Sequence, residues 1–357
     1  MDHSDGGSSA ALRRSGHAFT DHRFQAWFAG LAPLNEEPAH HAELPRSLCA
    51  AILAELGHNH WPELALVARQ TRFALLATPD AGSLDARANA SAAIAEAHRL
   101  AASALPPVSL PFAWLGALHR AAGESLIFAP PERAQHMLND GERRIIFEQP
   151  ASPAPLWALD LVAGIPLRAT GLLCRSLPWM GLMRVDGIRQ SDGPAEAKTV
   201  RAISLCNTAK ALANKLEMAR SIARTADRVA EGQNRTSRAP QLFSWLAAFG
   251  AMRTAQIEPV LNAKRLGVRG MLDVLAHANL LETQTLSGVK LYSAVDRGVE
   301  TTGSREIAEP YNLPPTLIDD FEESMTHIDR LLARISTPAK ELSPGLRPPE
   351  DITITNE

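Results

Sequence analysis

Leu272-Asp-Val-Leu275-Ala-His-Ala-Asn279-Leu-Leu281-Glu282 is the stretch on which the reading of the C-terminal half turns. Val268, Leu272 and Leu275 are spaced by four and three, which puts them on one face of a helix running from about Lys264 to Ala278. Asn279 then stands where a helix ends in the left-handed conformation, with apolar Leu280 and Leu281 leading onward. Leu281–Thr285, the turn Leu286-Ser-Gly288 and Val289–Ala294 read as a β-hairpin. Upstream, Gln241–Arg253 carries Leu242, Trp245, Leu246 and Phe249 on one face. Thr254 is placed to cap a second helix whose Ile257, Val260 and Leu261 face inward, and Pro259 shortens it before a turn near Asn262. Arg235–Ala294 is thus expected to form three helices and a hairpin.

This string resembles the end of the recognition helix in bacterial winged helix-turn-helix DNA-binding proteins. The similarity is to the superfamily and spans about 60 of the 357 residues, with Asn279 standing where glycine is usual. It implies that the third helix enters the major groove of double-stranded DNA with its N-terminal end toward the bases. Lys264 and Arg265 then stand at the helix start and Arg269 one turn later, arginine being suited to bidentate contact with guanine. Lys290 on the hairpin and Arg253 between the first two helices would contact phosphate, and Arg238 would follow the backbone. The function implied is transcription regulation in a bacterial cytoplasm. The alternative is a non-catalytic assembly protein whose winged helix contacts protein.

Charge distribution supports a polyanion partner. The net charge is only -3, but 198–238 holds nine Lys/Arg against three acids, a balance of +6. Residues 303–357 hold five basic against eleven acidic residues, a balance of -6. Much of the positive stretch falls on Ala195–Ala230, which has neither Gly nor Pro and reads as one long basic connecting helix, 195–230. The polar run from Glu231 to Pro240 reads as a linker into a domain at 235–300.

Farther out, residues 1–20 read as a disordered leader and 21–194 as a helical domain. Within it, Leu44–Leu56, Trp61–Ala77, Ser83–Ala104 and Leu110–Ala122 have helical spacing. Pro131–Leu138 is read as a further helix and Arg144–Glu148 as a strand. A trailing amphipathic helix is expected at 314–335, opened by the Thr316 and Asp319 capping pair. Its Ile318, Phe321, Met325, Ile328, Leu332 and Ile335 form a seam for dimerisation, and a homodimer suits two DNA half-sites. The tail 336–357, with its prolines, reads as disordered.

At 45 % apolar residues the chain can bury a core, which excludes a disordered polyelectrolyte. Cys49, Cys174 and Cys206 are too few and too scattered for a disulfide framework or zinc finger, pointing to a reducing compartment. No leader-like or membrane-length apolar run is apparent, since Pro155, Asp160, Pro166, Arg168, Arg175 and Pro178 interrupt the most apolar stretch. No phosphate loop, nucleophile elbow or His-Glu-x-x-His helix appears, so no enzyme, cofactor or metal is expected. His58-Asn-His60, near His40 and His41, reads as a surface connector. The fold class expected is mainly α.

Overall fold

The alanine- and leucine-rich N-terminal half has few β-branched runs, so helix is its cheapest backbone state. In a computed structural model the chain is mainly helical. It describes residues 7–35, 43–80, 82–104, 112–130, 134–140, 143–149, 153–189, 193–231, 233 and 236–295. The N-terminal helices are α1 (Gly7–Arg14), α2 (Asp21–Phe28), α3 (Pro45–Leu56), α4 (Pro62–Ala74), α5 (Ser83–Ser103) and α6 (Ala113–Glu124). A hairpin of β1 (Ala134–Asp140) and β2 (Arg143–Gln149) follows, then the short helices α7 (Leu156–Val162), α8 (Gly164–Ala169) and α9 (Val185–Ile188). The 38-residue α10 (Pro194–Glu231) leads to α11 (Ala239–Phe249), α12 (Thr254–Val260) and α13 (Arg265–His277). The strands β3 (Leu281–Leu286) and β4 (Val289–Ala294) close the described chain.

Helix α7 forms the centre: all seven of its residues are buried. Trp157 from it, Trp114 from α6, Phe28 from α2 and Phe128 are among the largest fully buried side chains. Each such burial contributes about 1.5–3 kcal/mol relative to exposure. Asp160, also on α7, is fully buried and organises its surroundings. Its Oδ1 accepts the Met183 N–H at 2.7 Å and its Oδ2 the Gly181 N–H at 2.8 Å. Arg14 Nη1 lies 2.8 Å from Oδ2, and the same guanidinium donates to the Met183 carbonyl. Burial pushes the Asp160 carboxyl up to about 6, against the opposing pull of Arg14 and the backbone N–H donors.

Two readings of the N-terminal half are corrected. The expected leader contains α1, whose Ala11 and Leu12 are 0 % exposed; packing on the core orders a segment too short and polar to be recognised alone. The helix expected at Pro131–Leu138 is a strand over its described part: Ala134–Asp140 pairs antiparallel with Arg143–Gln149, from Ala134 opposite Gln149 to Asp140 opposite Arg143. The pairing with a second strand decides it, since a short run of this kind carries both periods. The expected strand at Arg144–Glu148 falls inside β2.

The expected linker at 231–240 does not separate a free domain. The described residues, all before Arg297, belong to one compact unit, and 298–357 lie outside the described residues. Helix α11 packs on α10, and α12 packs on α4. Phe249 meets Phe28 edge-on with ring centroids 4.8 Å apart. Gly250 has φ 100°, and an added Cβ would lie 2.0 Å from Gln25 Nε2, so this bend requires glycine. The expected helix at 314–335, with Ile318, Phe321, Met325, Ile328, Leu332 and Ile335, lies outside the described residues, as does the tail.

Gln256 is the polar bolt of this joint. Fully buried, it donates from Nε2 to the Ala74 carbonyl at 2.8 Å and accepts the Arg253 N–H on Oε1 at 3.0 Å. Gln256→Ala leaves both backbone groups without these partners, and the expected loss is about 1–3 kcal/mol in denaturant unfolding. No helix among the described residues is long and apolar enough to cross a membrane.

Candidate nucleic-acid interface

Helix α13 owes its exposed surface to the turns at its two ends. Before it, Asn262 adopts φ 46° and Lys264 is extended at φ -76°, ψ 156°, turning the chain from α12 into α13. Arg238 stabilises that turn: its Nη1 donates to the Leu261 carbonyl at 2.6 Å and to the Asn262 carbonyl at 3.3 Å. After it, Asn279 adopts φ 53°, its N–H bonded to the Ala276 carbonyl and the Leu280 N–H to the Leu275 carbonyl. That paired arrangement satisfies the last carbonyls of the helix.

Between these ends α13 is strongly two-faced. Val268, Met271, Leu272 and Leu275 are buried. Lys264, Arg265, Leu266, Arg269 and Asp273 are exposed, so the two arginines and the lysine share the open side near the N-terminus. Leu266 is 81 % exposed, a large apolar side chain with no place in the core. Sequence periodicity did not single it out, because the inward stripe of Val268, Leu272 and Leu275 does not include it.

Gly267 and Gly270 also lie on this side. A Cβ built on either would meet nothing within 4 Å. Internal packing therefore does not demand glycine at either position. Each costs the helix about 1 kcal/mol relative to alanine.

The hairpin runs in register from Leu281 opposite Ala294 to Leu286 opposite Val289. Ser287 and Gly288 both have positive φ, 50° and 76°, which is the two-residue turn that matches strand twist. Lys290 is exposed near its tip. Met252 adds a backbone bridge to Tyr292, with N–H···O distances of 2.9 and 2.8 Å, tying the hairpin to the α11–α12 connection. His22 Nε2 lies 3.1 Å from Gln284 Oε1, so α2 also touches the hairpin.

The six basic residues singled out from sequence thus divide. Lys264, Arg265, Arg269 and Lys290 stand exposed on α13 and the hairpin. Arg238 is committed to the α12–α13 turn. Arg253 is half-buried at the start of α12, where its backbone bonds Gln256. The role of Arg238 shows only in contacts 23 and 24 residues away in sequence.

The N-terminal body holds a cavity of about 580 Å³ whose wall includes His17, Asn35, Glu43 and Asp80. These groups are largely engaged with the frame. His17 bonds the Glu43 carbonyl and Asn35, Glu43 accepts from Trp157 Nε1 at 2.8 Å and from Ser15, and Asp80 accepts the Ser47 N–H. Burial raises the Glu43 carboxyl and lowers the His17 imidazole from their ordinary values. Asn59, between His58 and His60, turns the chain by accepting the Trp61 N–H. Among the described residues no three His, Cys, Asp or Glu side chains gather as a metal site.

Comparison with protein-family models, with curated proteins and with solved structures finds no match to this chain, so its function is read from its own residues and geometry.

Proposed function

We propose that this protein binds double-stranded DNA through a winged helix-turn-helix formed by α11, α12, α13 and the β3–β4 hairpin, and regulates transcription. The observation that carries the reading is the open face of α13. There, two glycines that the fold does not require lie among Lys264, Arg265 and Arg269. A helix without side chains at two surface positions admits a closer approach to a backbone, and the flanking cations supply phosphate and guanine contacts. Exposed Leu266 suits apolar contact with a thymine methyl in the same groove. Lys290 on the wing reaches the neighbouring phosphates. The long α10 adds basic residues outside the module.

Binding to random duplex DNA at two salt concentrations tests this. The affinity should fall steeply with salt, by a slope that counts the phosphates neutralised. Salt-independent binding, or none, would instead leave the module as a protein-contact element. Gly270→Ala separates fold from function further. It should raise helix stability by up to about 1 kcal/mol and the melting temperature with it, yet weaken DNA binding. A variant that is more stable and binds equally well would remove the close-approach argument.

A further inference from the structure

The cavity of about 580 Å³ in the N-terminal body forms where three segments meet: 30–35 after α2, 43–45 leading into α3, and 78–80 ahead of α5. Its size suits a small organic molecule. The walls are fixed to one another. Gly30 has φ 70°, and an added Cβ would collide with the Leu76 carbonyl oxygen. The Leu76 N–H bonds the Phe28 carbonyl at 2.9 Å, and Arg23 Nε donates to the Pro33 carbonyl at 2.7 Å. Trp27, Leu31, Leu34 and Leu44 give the cavity an apolar side.

The polar side is rich in acceptors and poor in donors. Pro33, Pro45 and Pro79 have no N–H, and among the described residues no Lys or Arg lines the cavity. His17 supplies no positive charge. The Asn35 amide nitrogen donates to its Nδ1 at 2.9 Å, so Nε2 carries the proton and donates to the Glu43 carbonyl at 2.7 Å. Two carboxyl groups remain. Glu43 accepts Trp157 and Ser15 on Oε2, and Asp80 accepts the Ser47 N–H on Oδ2. Glu43 Oε1 and Asp80 Oδ1 are left without partners among the described residues, and so is the buried Asn35 Oδ1. Burial raises the Glu43 carboxyl, and what opposes it is the hydrogen bonding of Trp157 and Ser15 rather than a neighbouring cation. We propose that the cavity binds a small organic cation, an amine whose ammonium group pairs with the Glu43 and Asp80 carboxylates. Its apolar body lies against Trp27, Leu31, Leu34 and Leu44. A metal ion fits less well, because among the described residues no third His, Cys, Asp or Glu joins the pair as a ligand. The site lies apart from α13 and does not depend on DNA binding.

Calorimetric titration of the full chain, without DNA, tests it with phenethylamine, tryptamine and hexylamine, each beside its neutral alcohol. At least one amine should bind with a dissociation constant below about 1 mM. Its alcohol should bind at least about tenfold more weakly, because it cannot form a charge-assisted hydrogen bond to the carboxylates. Asp80→Asn and Glu43→Gln each keep an oxygen for the hydrogen bonds that hold the frame. Each should weaken the amine by about tenfold and leave the alcohol unchanged. Ala32→Phe adds bulk to the wall without removing a charge and should weaken both. Circular-dichroism melting checks that the variants are folded. A wild type that binds none of the amines, or binds them no more tightly than the alcohols, overturns the proposal without recourse to any variant. So does amine binding that is indifferent to all three changes in folded protein, which would put the amine elsewhere on the chain.

Discussion

Arg265→Ala combined with Arg269→Ala should cost at least about thirtyfold in affinity for duplex DNA at fixed salt, if each arginine contributes about 1–3 kcal/mol. Both side chains are exposed on α13 and neither holds a tertiary contact that the fold needs. The thermal midpoint should therefore stay close to the wild type, because surface substitutions of this kind fall within about 0.5 kcal/mol. The salt slope should flatten by roughly one for each phosphate contact removed. The control is Arg238→Ala. Its guanidinium holds the carbonyls of Leu261 and Asn262, so that change should lower stability and reduce DNA binding only through a loosened turn. Electrophoretic or fluorescence titration alongside a melting curve separates the two. If Arg265→Ala with Arg269→Ala binds DNA as tightly as the wild type, α13 is not the reading helix.

The largest expected stability effect belongs to Asp160→Asn. Both carboxylate oxygens accept backbone N–H groups and one also meets Arg14, so an amide must place its own donor against a donor. Breaking such a buried pair costs about 3–5 kcal/mol. For a unit of this size that is a fall in melting temperature on the order of 10 °C. The pH dependence has a definite sign. The carboxyl sits at about 6 in the folded chain, above its ordinary value of about 3.9 unfolded. The folded state therefore binds this proton more tightly. The group's contribution is fully present below about pH 4 and is lost as pH rises through about 6. Urea unfolding at pH 5 and pH 7 should show a larger wild-type advantage over Asp160→Asn at the lower pH. A difference that grows instead toward pH 7 would show that Arg14 dominates over burial.

The elements of 239–294 were legible because their signals are local. Val268, Leu272 and Leu275 define one helical face whatever surrounds them. Asn279 and Ser287-Gly288 satisfy backbone demands within a few residues, and each takes the left-handed conformation its position calls for. The expected strand at Val289–Ala294 and the helix beginning near Lys264 are set by the same short-range chemistry. Helices α3, α4, α5 and α6 follow from spacing alone to within a few residues. The β1–β2 hairpin was misread over Pro131–Leu138 because a short apolar run carries both periods, and the partner strand decides between them.

The candidate site divides along the same line. Charge type and helix position sufficed to select Lys264, Arg265, Arg269 and Lys290, since an exposed cation on an amphipathic helix or hairpin needs nothing beyond its own element. Arg238 carries the same charge, but its guanidinium is held by the carbonyls of Leu261 and Asn262, and the burial of Gln256 against Ala74 spans 182 positions. Sequence by itself determined a mainly helical chain, the three-helix-and-hairpin order near the C-terminus, and the long helix α10, because helical period, capping and turn chemistry act within one or two turns. Only the tertiary structure decided that α1 is an ordered part of the core, that Asp160 and Arg14 form its buried pair, and that Leu266, Gly267 and Gly270 face outward. Those outcomes depend on which surfaces meet, and burial is a property of the assembled chain rather than of any segment.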